Sequence, residues 1–447
     1  MPNSLGPAEL LLHYGTDQQK QHYLPRLAKG EEIPCFGLTS PTAGSDAGSI
    51  VDNGVVCERD FNGKKQLGIL LNFDKRYITL APVATVIGLA FKLYDPDHLL
   101  GDKEDIGITC ALIPSETEGV DISRRHFPLN SAFPNGPVIG KDVFIPIDWI
   151  IGGQKMMGQG WRMLMECLAA GRAISIPSGV VGGAIMNVLT TGAYARIRKQ
   201  FRLPIGKFGG VAEVLARILG LTYLADATRK FTVAAVDRDE ASAVASAICK
   251  YHTSELARKV IVDVMDVQGG KGICLGPNNT AGRCYQQAPI GITVEGANIL
   301  TRSMIIFGQG AVRAHPFVLA EMQALEEADP KRALDKFDKV FFSHVAMIAS
   351  NKIRSFTFAL TDSHFVRVPS GPLKRYYQKL THCSAAFSFI ADSCMVLYGG
   401  SGLKRNEQQS ARLGDLLSYV YMGCAVIKFY EDRSAQDEDL EIGRAHV

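Results

Sequence analysis

One carboxylate stands almost alone in a long uncharged stretch of this 447-residue chain. Glu295 is the only charged residue between Arg283 and Arg302, and its neighbours are small or apolar. A carboxylate that loses its hydration has a raised pKa and is a better proton acceptor than a solvated surface glutamate. Gly296, which follows it, would let a substrate approach the backbone closely. The alternative interpretation is an ordinary surface or helix-capping glutamate, so the rest of the chain has to decide between the two.

The composition indicates a globular protein without a bias toward nucleic acid. Hydrophobic residues make up 47% of the chain, and its length allows two or three domains with a large core. Lys and Arg number 48 against 45 Asp and Glu, so the net charge of +3 lacks the basic excess of typical nucleic-acid-binding proteins. The cysteines include no CxxC pair and the histidines show no metal-ligand spacing, so neither a metal site nor a disulfide framework is predicted. No secretory signal is visible, and we expect a cytoplasmic location.

The longest uncharged run, residues 173–195, has the length of a membrane span. It contains Pro177, Asn187 and several serines, threonines and glycines, so we predict a buried bundle helix or a pair of helices instead. The last six residues, 442–447, resemble the translation of a sequencing-adapter remnant and are expected to be artefactual. We expect the natural protein to extend beyond both ends of this chain.

The hydrophobic periodicity changes twice along the chain, which predicts an α+β protein of several domains. Helical spacing up to Lys29 is followed by short strand-like runs with a turn at Asn62-Gly63, and long helical stretches return after Gly158. The predicted strands are 54–59, 66–72, 76–80, 107–113 and 142–145, and the predicted helices are 161–171, 185–200, 211–237, 240–268 and 295–311. The predicted domains are a remnant of a helical domain (1–32), a β domain (33–155), a helical bundle (156–325), an additional helical region (331–433) and a tail (434–447).

Four segments, in this order, resemble those of the acyl-CoA dehydrogenase family. Cys35-Phe-Gly-Leu-Thr-Ser-Pro-Thr-Ala-Gly-Ser-Asp46 and Lys75-Arg-Tyr-Ile-Thr79 are similar to its two flavin-contacting segments. Tyr194-Ala-Arg-Ile-Arg-Lys-Gln-Phe201 resembles the segment that reaches the FAD of a neighbouring subunit, and Val267-Gln-Gly-Gly-Lys-Gly272 resembles the glycine turn near the FAD nucleotide. The resemblance covers nearly the whole chain and is nearest to the bacterial long- or medium-chain fatty acyl-CoA dehydrogenases of β-oxidation. It implies a central β-barrel or sandwich domain, a four-helix bundle and an extra C-terminal helical region.

The resemblance also implies the reaction, which is the flavin-dependent α,β-dehydrogenation of fatty acyl-CoA thioesters to trans-2-enoyl-CoA. In this interpretation Glu295 abstracts the α proton and N5 of FAD takes the β hydride. The backbone N–H of Glu295 would help to bind the thioester oxygen, where enolate-like charge develops. Some family members carry the base on another helix, at the position of Gly171 in this chain, which leaves Glu295 as the base here.

The resemblance assigns the remaining contacts residue by residue. The expected FAD contacts are Thr39, Ser45, Tyr77, Thr79, Arg198, Gly269 and Gly270, and the expected acyl-CoA contacts are Ser45, Glu295, Gly296 and Arg302. Tyr77 replaces the usual Trp of the family, and Arg202 replaces the usual Gly after Phe201. Because Arg198 and the glycine turn would serve a neighbouring subunit, the resemblance implies a homo-oligomer.

Other functions remain open at this stage. An acyl-CoA oxidase would share nearly all these residues, and a catalytically silent acyl-CoA-binding or assembly protein is the non-enzymatic alternative. For a dehydrogenase, the resemblance implies an electron-transferring flavoprotein as the electron acceptor. The basic segment 374–379 would suit peripheral contact with a membrane surface, although the more common role of such a segment is a solvated helix face.

Overall fold

The structure, a computed structural model, describes residues 2–238, 240, 242–310 and 315–434. The chain forms two compact units, Met1–Ile176 and Pro177–Val447, and the boundary between them falls inside one long helix. The predicted artefactual residues 442–447, and all but the first residue of the predicted tail, lie outside the described residues.

The first unit consists of two helices followed by a seven-stranded mixed sheet. The helices are α1 (Pro2–Tyr14) and α2 (Asp17–Lys29). The strands are β1 (Pro34–Gly37), β2 (Asn53–Phe61), β3 (Lys64–Thr79), β4 (Val86–Tyr94), β5 (Asp105–Pro114), β6 (Val120–Asp121) and β7 (Asn135–Pro146). The sheet order is β1-β4-β2-β3-β7-β6, and β5 pairs with β4. The predicted change from helix to strand after Lys29 is therefore confirmed.

The β2–β3 hairpin carries the predicted turn. Asn62 and Gly63 both have positive φ, 53° and 76°, as the central residues of a type I′ turn require. The prediction of two separate strands at 66–72 and 76–80 is wrong, because β3 runs through both. A register shift against β7 between Lys75 and Ile78 marks a β-bulge inside this strand.

The core of the first unit lies on both faces of β4. Ile87, Leu89 and Phe91 are fully buried, together with side chains of β3, β5 and β7. On the other face, Leu10 and Leu11 of α1 join a second buried cluster. The helical segment before residue 30 is thus an integral layer of this unit.

The second unit is helical apart from one short hairpin. After the boundary helix α3 (Gly160–Ile197) come β8 (Lys199–Gln200), β9 (Leu203–Pro204), α4 (Gly209–Val236), α5 (Ala243–Gln268), α6 (Gly270–Ile273), α7 (Gly282–Thr293), α8 (Asn298–Leu300) and a π-helix (Thr301–Gln309). The additional C-terminal region follows as α9 (Val318–Leu325), α10 (Pro330–Leu360), α11 (Lys374–Arg405) and α12 (Glu407–Ser434). The predicted break between α9 and α10 is confirmed, and Asp329 caps α10 by accepting from Lys331 N.

Two helix predictions are wrong. The predicted helices 161–171 and 185–200 belong to one helix, α3, which continues through Pro177. The predicted helix from Glu295 begins three residues later, at Asn298, because Glu295 and Gly296 have left-handed backbone conformations. Its predicted end, Ala311, lies outside the described residues.

Within the second unit, α3, α4 and α5 pack together. Ala184 of α3, Ile218 of α4 and Val260 and Val264 of α5 share one buried cluster. By length and composition alone, two helical stretches of the described chain could cross a membrane, Gly160–Ile197 and Lys374–Gly399. The first stretch contributes Ala184 to the cluster with α4 and α5, and Val181 to a second buried cluster with Ala225 and Leu256, so part of it packs within the helical unit.

Candidate functional site

In the first unit, the bulge of β3 brings the two predicted flavin-contacting segments side by side. The backbone N–H of Arg76 donates to the carbonyl of Thr39 (3.0 Å), and the Arg76 guanidinium donates to the carbonyl of Pro41 (2.8 Å). Lys75 Nζ donates to the carbonyl of Leu38 (3.1 Å). Segments separated by more than thirty residues in the sequence therefore form one surface.

A buried ion pair supports this surface from below. Lys75 Nζ lies 2.5 Å from Asp52 Oδ2, and both side chains are almost fully buried. Burial lowers the pKa of Lys75, while the Asp52 carboxylate acts in the opposite direction and favours the charged form. Removing one partner of such a pair would leave an uncompensated buried charge. The ion pair therefore fixes β3 to the residue that precedes β2, and Lys75 also contacts the Leu38 carbonyl next to Thr39.

Tyr77 lies at the bulge and faces solvent. Its φ is +62°, a left-handed conformation, and its side chain is 59% exposed. Its ring contacts His126 (5.2 Å between centroids) and lies under the Arg76 guanidinium (4.9 Å). Bulges often redirect a side chain next to a binding site. Tyr77 therefore offers an exposed aromatic face where the sequence predicted a flavin contact.

The three predicted hydroxyl contacts also belong to this unit. Thr39 and Thr79 are half-buried and Ser45 is exposed. None of these hydroxyls hydrogen-bonds another residue of the described ranges. Each can therefore donate to a ligand and accept from it.

In the second unit, the candidate base lies in a break between two helices. Glu295 has φ +57° and Gly296 has φ +88°, between the end of α7 and the start of α8. The residue is half-buried, and its Oε2 atom is shielded from solvent. A left-handed conformation at a non-glycine residue is strained and persists only where the surroundings fix it.

The surroundings of the break fix it through the Gly296 carbonyl. Lys250 Nζ of α5 donates to this oxygen (2.8 Å), and Thr301 Oγ1 donates to it from the π-helix (3.1 Å). Lys250 Nζ also donates to Asn298 Oδ1 (2.8 Å), whose Nδ2 group donates to Ser254 Oγ (3.0 Å). Lys250 is not among the site residues predicted from the sequence, although a lysine between the apolar residues of α5 is a visible signal.

Also in the second unit, the two segments predicted to contact the nucleotide, the end of α3 and the glycine turn, lie next to each other. Gln268 Nε2 donates to Thr191 Oγ1 (2.8 Å), and the Lys271 ammonium lies 5.5 Å from the Tyr194 ring centre. The C-terminal end of α3, which leads to the exposed Arg198, therefore lies beside the glycine turn. At Gly269 (φ +53°, ψ −130°) and at Gly270 an added Cβ would meet open space, so the backbone of this turn is accessible.

Arg302, a predicted substrate contact, makes a bidentate ion pair with Asp415 of α12. Its Nε and Nη2 atoms lie 2.8 and 2.5 Å from the two carboxylate oxygens. The neighbouring His252 is buried, and this burial lowers the pKa of His252 to about 4 despite the opposing effect of Asp415. Arg302 therefore joins the π-helix to α12, whatever else it contacts.

A second polar cluster in the C-terminal region has the residue types of a metal site. His315 Nε2 and His344 Nε2 lie 2.9 and 3.4 Å from Asp392 Oδ1. However, His315 Nδ1 accepts the backbone N–H groups of Phe317 and Val318 (3.2 Å each), so its ring proton is on Nε2 and points at the aspartate. No lone pair remains on Nε2 for a cation, and we interpret the cluster as a hydrogen-bonded junction of α10 and α11 with the segment before α9.

Sequence comparisons agree with this architecture and define the family. A family model described as "Acyl-CoA dehydrogenase, C-terminal domain" matches residues 158–308, and one described as "Acyl-CoA dehydrogenase, C-terminal, bacterial type" matches residues 312–445. The chain belongs to the acyl-CoA dehydrogenase family.

Among curated relatives, a probable acyl-CoA dehydrogenase of Bacillus subtilis is 31% identical over 282 residues, which are 60% of this chain and 66% of the relative. A 3-(aryl)acrylate reductase of Clostridium sporogenes is 30% identical over 272 residues, which are 61% of this chain and 67% of the relative. Protein HemX of Proteus mirabilis is 64% identical over 104 residues, which are 23% of this chain and 61% of the relative. The chain thus spans about two thirds of the length of these curated relatives.

Among solved structures, an acyl-CoA dehydrogenase from Bacillus anthracis, crystallised as a complex with FAD, matches with a TM-score of 0.76. The match is 21% identical and covers 98% of this chain and 69% of the other. It confirms the predicted acyl-CoA dehydrogenase fold, including the helical C-terminal region.

Proposed function

We propose that this protein catalyses the α,β-dehydrogenation of an acyl-CoA thioester with FAD as cofactor, and that Glu295 is the base. The observation that carries the proposal is the position of Glu295. It is the only charged residue of its stretch and lies in a strained, partly shielded break between helices, within a chain of this family. A strained backbone and a partly shielded carboxylate together are typical of a catalytic position.

The described residues suit FAD in both units. The first unit offers an exposed Tyr77 ring and the hydroxyls of Thr39 and Thr79, and the second offers Arg198 and the open glycine turn. Bound FAD would accept the hydride that leaves the β carbon. The arginine fork suits the pyrophosphate of a nucleotide better than a point charge would.

The chain's own part of the reaction is proton removal and binding of the thioester oxygen. The α proton becomes acidic only when charge on that oxygen is stabilised, which we assign in part to the Glu295 N–H. The relative named as a reductase indicates that the family also includes proteins with the opposite net reaction. We propose the oxidative direction on fatty acyl-CoA, with an electron-transferring flavoprotein as acceptor.

The test is Glu295→Gln, which keeps the size of the side chain and removes the base. We expect the variant to bind FAD normally and to lose acyl-CoA-dependent flavin bleaching by at least about 100-fold, the usual contribution of a general base. The measurement is anaerobic stopped-flow absorbance with a long-chain acyl-CoA. A matched control is Glu213→Gln, an exposed glutamate of α4, which should bleach like the unmodified protein.

The same instrument separates the alternatives. Bleaching of Glu295→Gln at the normal rate would contradict the assignment of the base. Rapid reoxidation of the reduced protein by air would favour an acyl-CoA oxidase. An unmodified protein that binds acyl-CoA without any bleaching would be a silent binding protein.

A further inference from the structure

We infer that Lys250 is a positioning residue for the reaction, which holds the Glu295–Gly296 break in its left-handed conformation. The inference rests on the proposed function, because it concerns the orientation of the proposed base. Lys250 lies on α5 and is fully buried, and its Nζ atom reaches the break through a hydrogen bond to Gly296 O.

The contacts of Lys250 converge on two of the three residues that follow the base. Its Nζ atom donates to Gly296 O and to Asn298 Oδ1, each at 2.8 Å. The first contact fixes the peptide between Gly296 and Ala297, one peptide beyond Glu295, and the second fixes the first residue of α8. Together they hold the α8 side of the break against α5, which is itself anchored in the core by Val260 and Val264.

The strained backbone at Glu295 and Gly296 explains why the hydrogen bonds of Lys250 are needed. A left-handed backbone conformation is unfavourable for a residue with a side chain, and two consecutive left-handed residues interrupt a helix. This conformation persists only where other contacts hold it. Without these hydrogen bonds, the backbone at Glu295 would relax toward the helical conformation that the flanking helices α7 and α8 favour. That relaxation would redirect both the carboxylate and the N–H group of Glu295, the two groups that the proposed reaction uses.

The cost of burying the lysine favours the same conclusion. A fully buried ammonium group is unfavourable unless it is well hydrogen-bonded, and the contacts with Gly296 O and Asn298 Oδ1 help to offset this cost. Methionine has a similar volume but cannot donate to either oxygen. If Lys250 only supported the fold, Lys250→Met would therefore lower stability without slowing flavin reduction by the folded variant.

The test compares Lys250→Met with Ile261→Ala, a core substitution on the same helix that lies away from the break. We expect Lys250→Met to bind FAD and acyl-CoA with nearly unchanged affinity but to reduce the flavin about 100-fold more slowly, as for a small misplacement of a reacting group. Ile261→Ala should lower thermal stability without this change in rate. A second readout is the carbonyl stretching frequency of bound acyl-CoA, which should shift toward that of the free thioester in Lys250→Met because the N–H of Glu295 is displaced.

A milder variant keeps the inference testable if Lys250→Met does not fold. Thr301→Val removes the other donor to Gly296 O and should slow flavin reduction in the same direction but by a smaller factor. Normal rates and an unshifted carbonyl frequency in the folded variants would overturn the inference. These results are distinguishable from failure of the proposed function, because that failure would appear as normal bleaching in Glu295→Gln.

Discussion

At the scale of single residues, the surroundings of Glu295 combine groups that are individually unfavourable. Glu295 has a left-handed backbone, Lys250 is a fully buried amine, and His252, two residues further along α5, is a buried imidazole. Neighbouring groups fix the Glu295 backbone and hydrogen-bond the Lys250 ammonium, whereas the buried Nε2 atom of His252 has no hydrogen-bond partner among the described residues. Such a concentration of strain and buried polarity is expected at a functional site and is rare in a helix interior that only has to pack.

His252 gives a pH prediction at this scale. Its pKa falls from 6.5 to about 4 on folding, chiefly because burial disfavours the charged ring. The unfolded chain therefore binds a proton between pH 6.5 and 4 that the folded chain does not, and stability falls as the pH is lowered through this window. At pH 5 the loss would be about 2 kcal/mol at most, from 1.36 kcal/mol per pH unit.

The measurement is the melting temperature at pH 7 and pH 5 of the unmodified protein and of His252→Phe. Phenylalanine keeps the ring and cannot titrate, so the variant should lose less stability between the two pH values. The control is His22→Gln, because His22 is exposed and its removal should leave the pH dependence unchanged. Equal pH dependence in all three proteins would show that His252 does not contribute.

At the scale of helices and strands, the π-helix after Glu295 is tied to α12 by Arg302 and Asp415. The role of this ion pair can be tested separately from the predicted contact of Arg302 with the substrate. If Arg302 acts only through the ion pair, Arg302→Gln and Asp415→Asn should have similar small effects, since a partly exposed pair contributes about 1 kcal/mol or less. If Arg302 also contacts acyl-CoA, only Arg302→Gln should weaken binding.

Titration calorimetry with acyl-CoA, together with melting temperatures, distinguishes these cases. We expect both variants to melt slightly below the unmodified protein, and Arg302→Gln alone to raise the Kd for acyl-CoA. Equal affinities of the two variants would contradict the predicted substrate contact.

The element scale also shows what the sequence could and could not reveal. The hairpin at Asn62-Gly63 was predictable because its turn residues have a strong local preference for positive φ. Strand β4 was missed because it is buried on both faces and its apolar residues show no alternation. The interruption predicted near Pro177 is absent because one proline did not end the long helix α3.

The features of the candidate site also divide into those that the sequence could reveal and those that it could not. The identities of Glu295, Thr39 and Thr79 could be inferred from local segments that resemble a family. The contacts of Lys250 with Gly296 could not, because they join residues 46 positions apart on different helices. Hydrogen bonds of this kind depend on tertiary packing, which no local pattern contains.

At the scale of the whole molecule, the proposed reaction would need Arg198 as a contact of FAD and Glu295 as the base. Both belong to the second unit, yet the resemblance assigns Arg198 to the FAD of a neighbouring subunit. Arg198 is exposed and follows directly after α3, and the adjoining glycine turn is open, so both are accessible to another chain. If the assignment is right, each active site combines the base of one subunit with the arginine of another.

Mixed oligomers test this arrangement. A hetero-oligomer of Glu295→Gln and Arg198→Ala subunits contains, in the shared arrangement, one kind of site with both groups intact and one kind with neither. We expect such an oligomer, isolated with two different affinity tags, to retain about half the activity of the unmodified oligomer. The matched control pairs an unmodified subunit with one that carries both substitutions. There the shared arrangement leaves every site with one defect, whereas an arginine that acts within its own subunit would leave one site intact, so the order of the two activities decides between the arrangements.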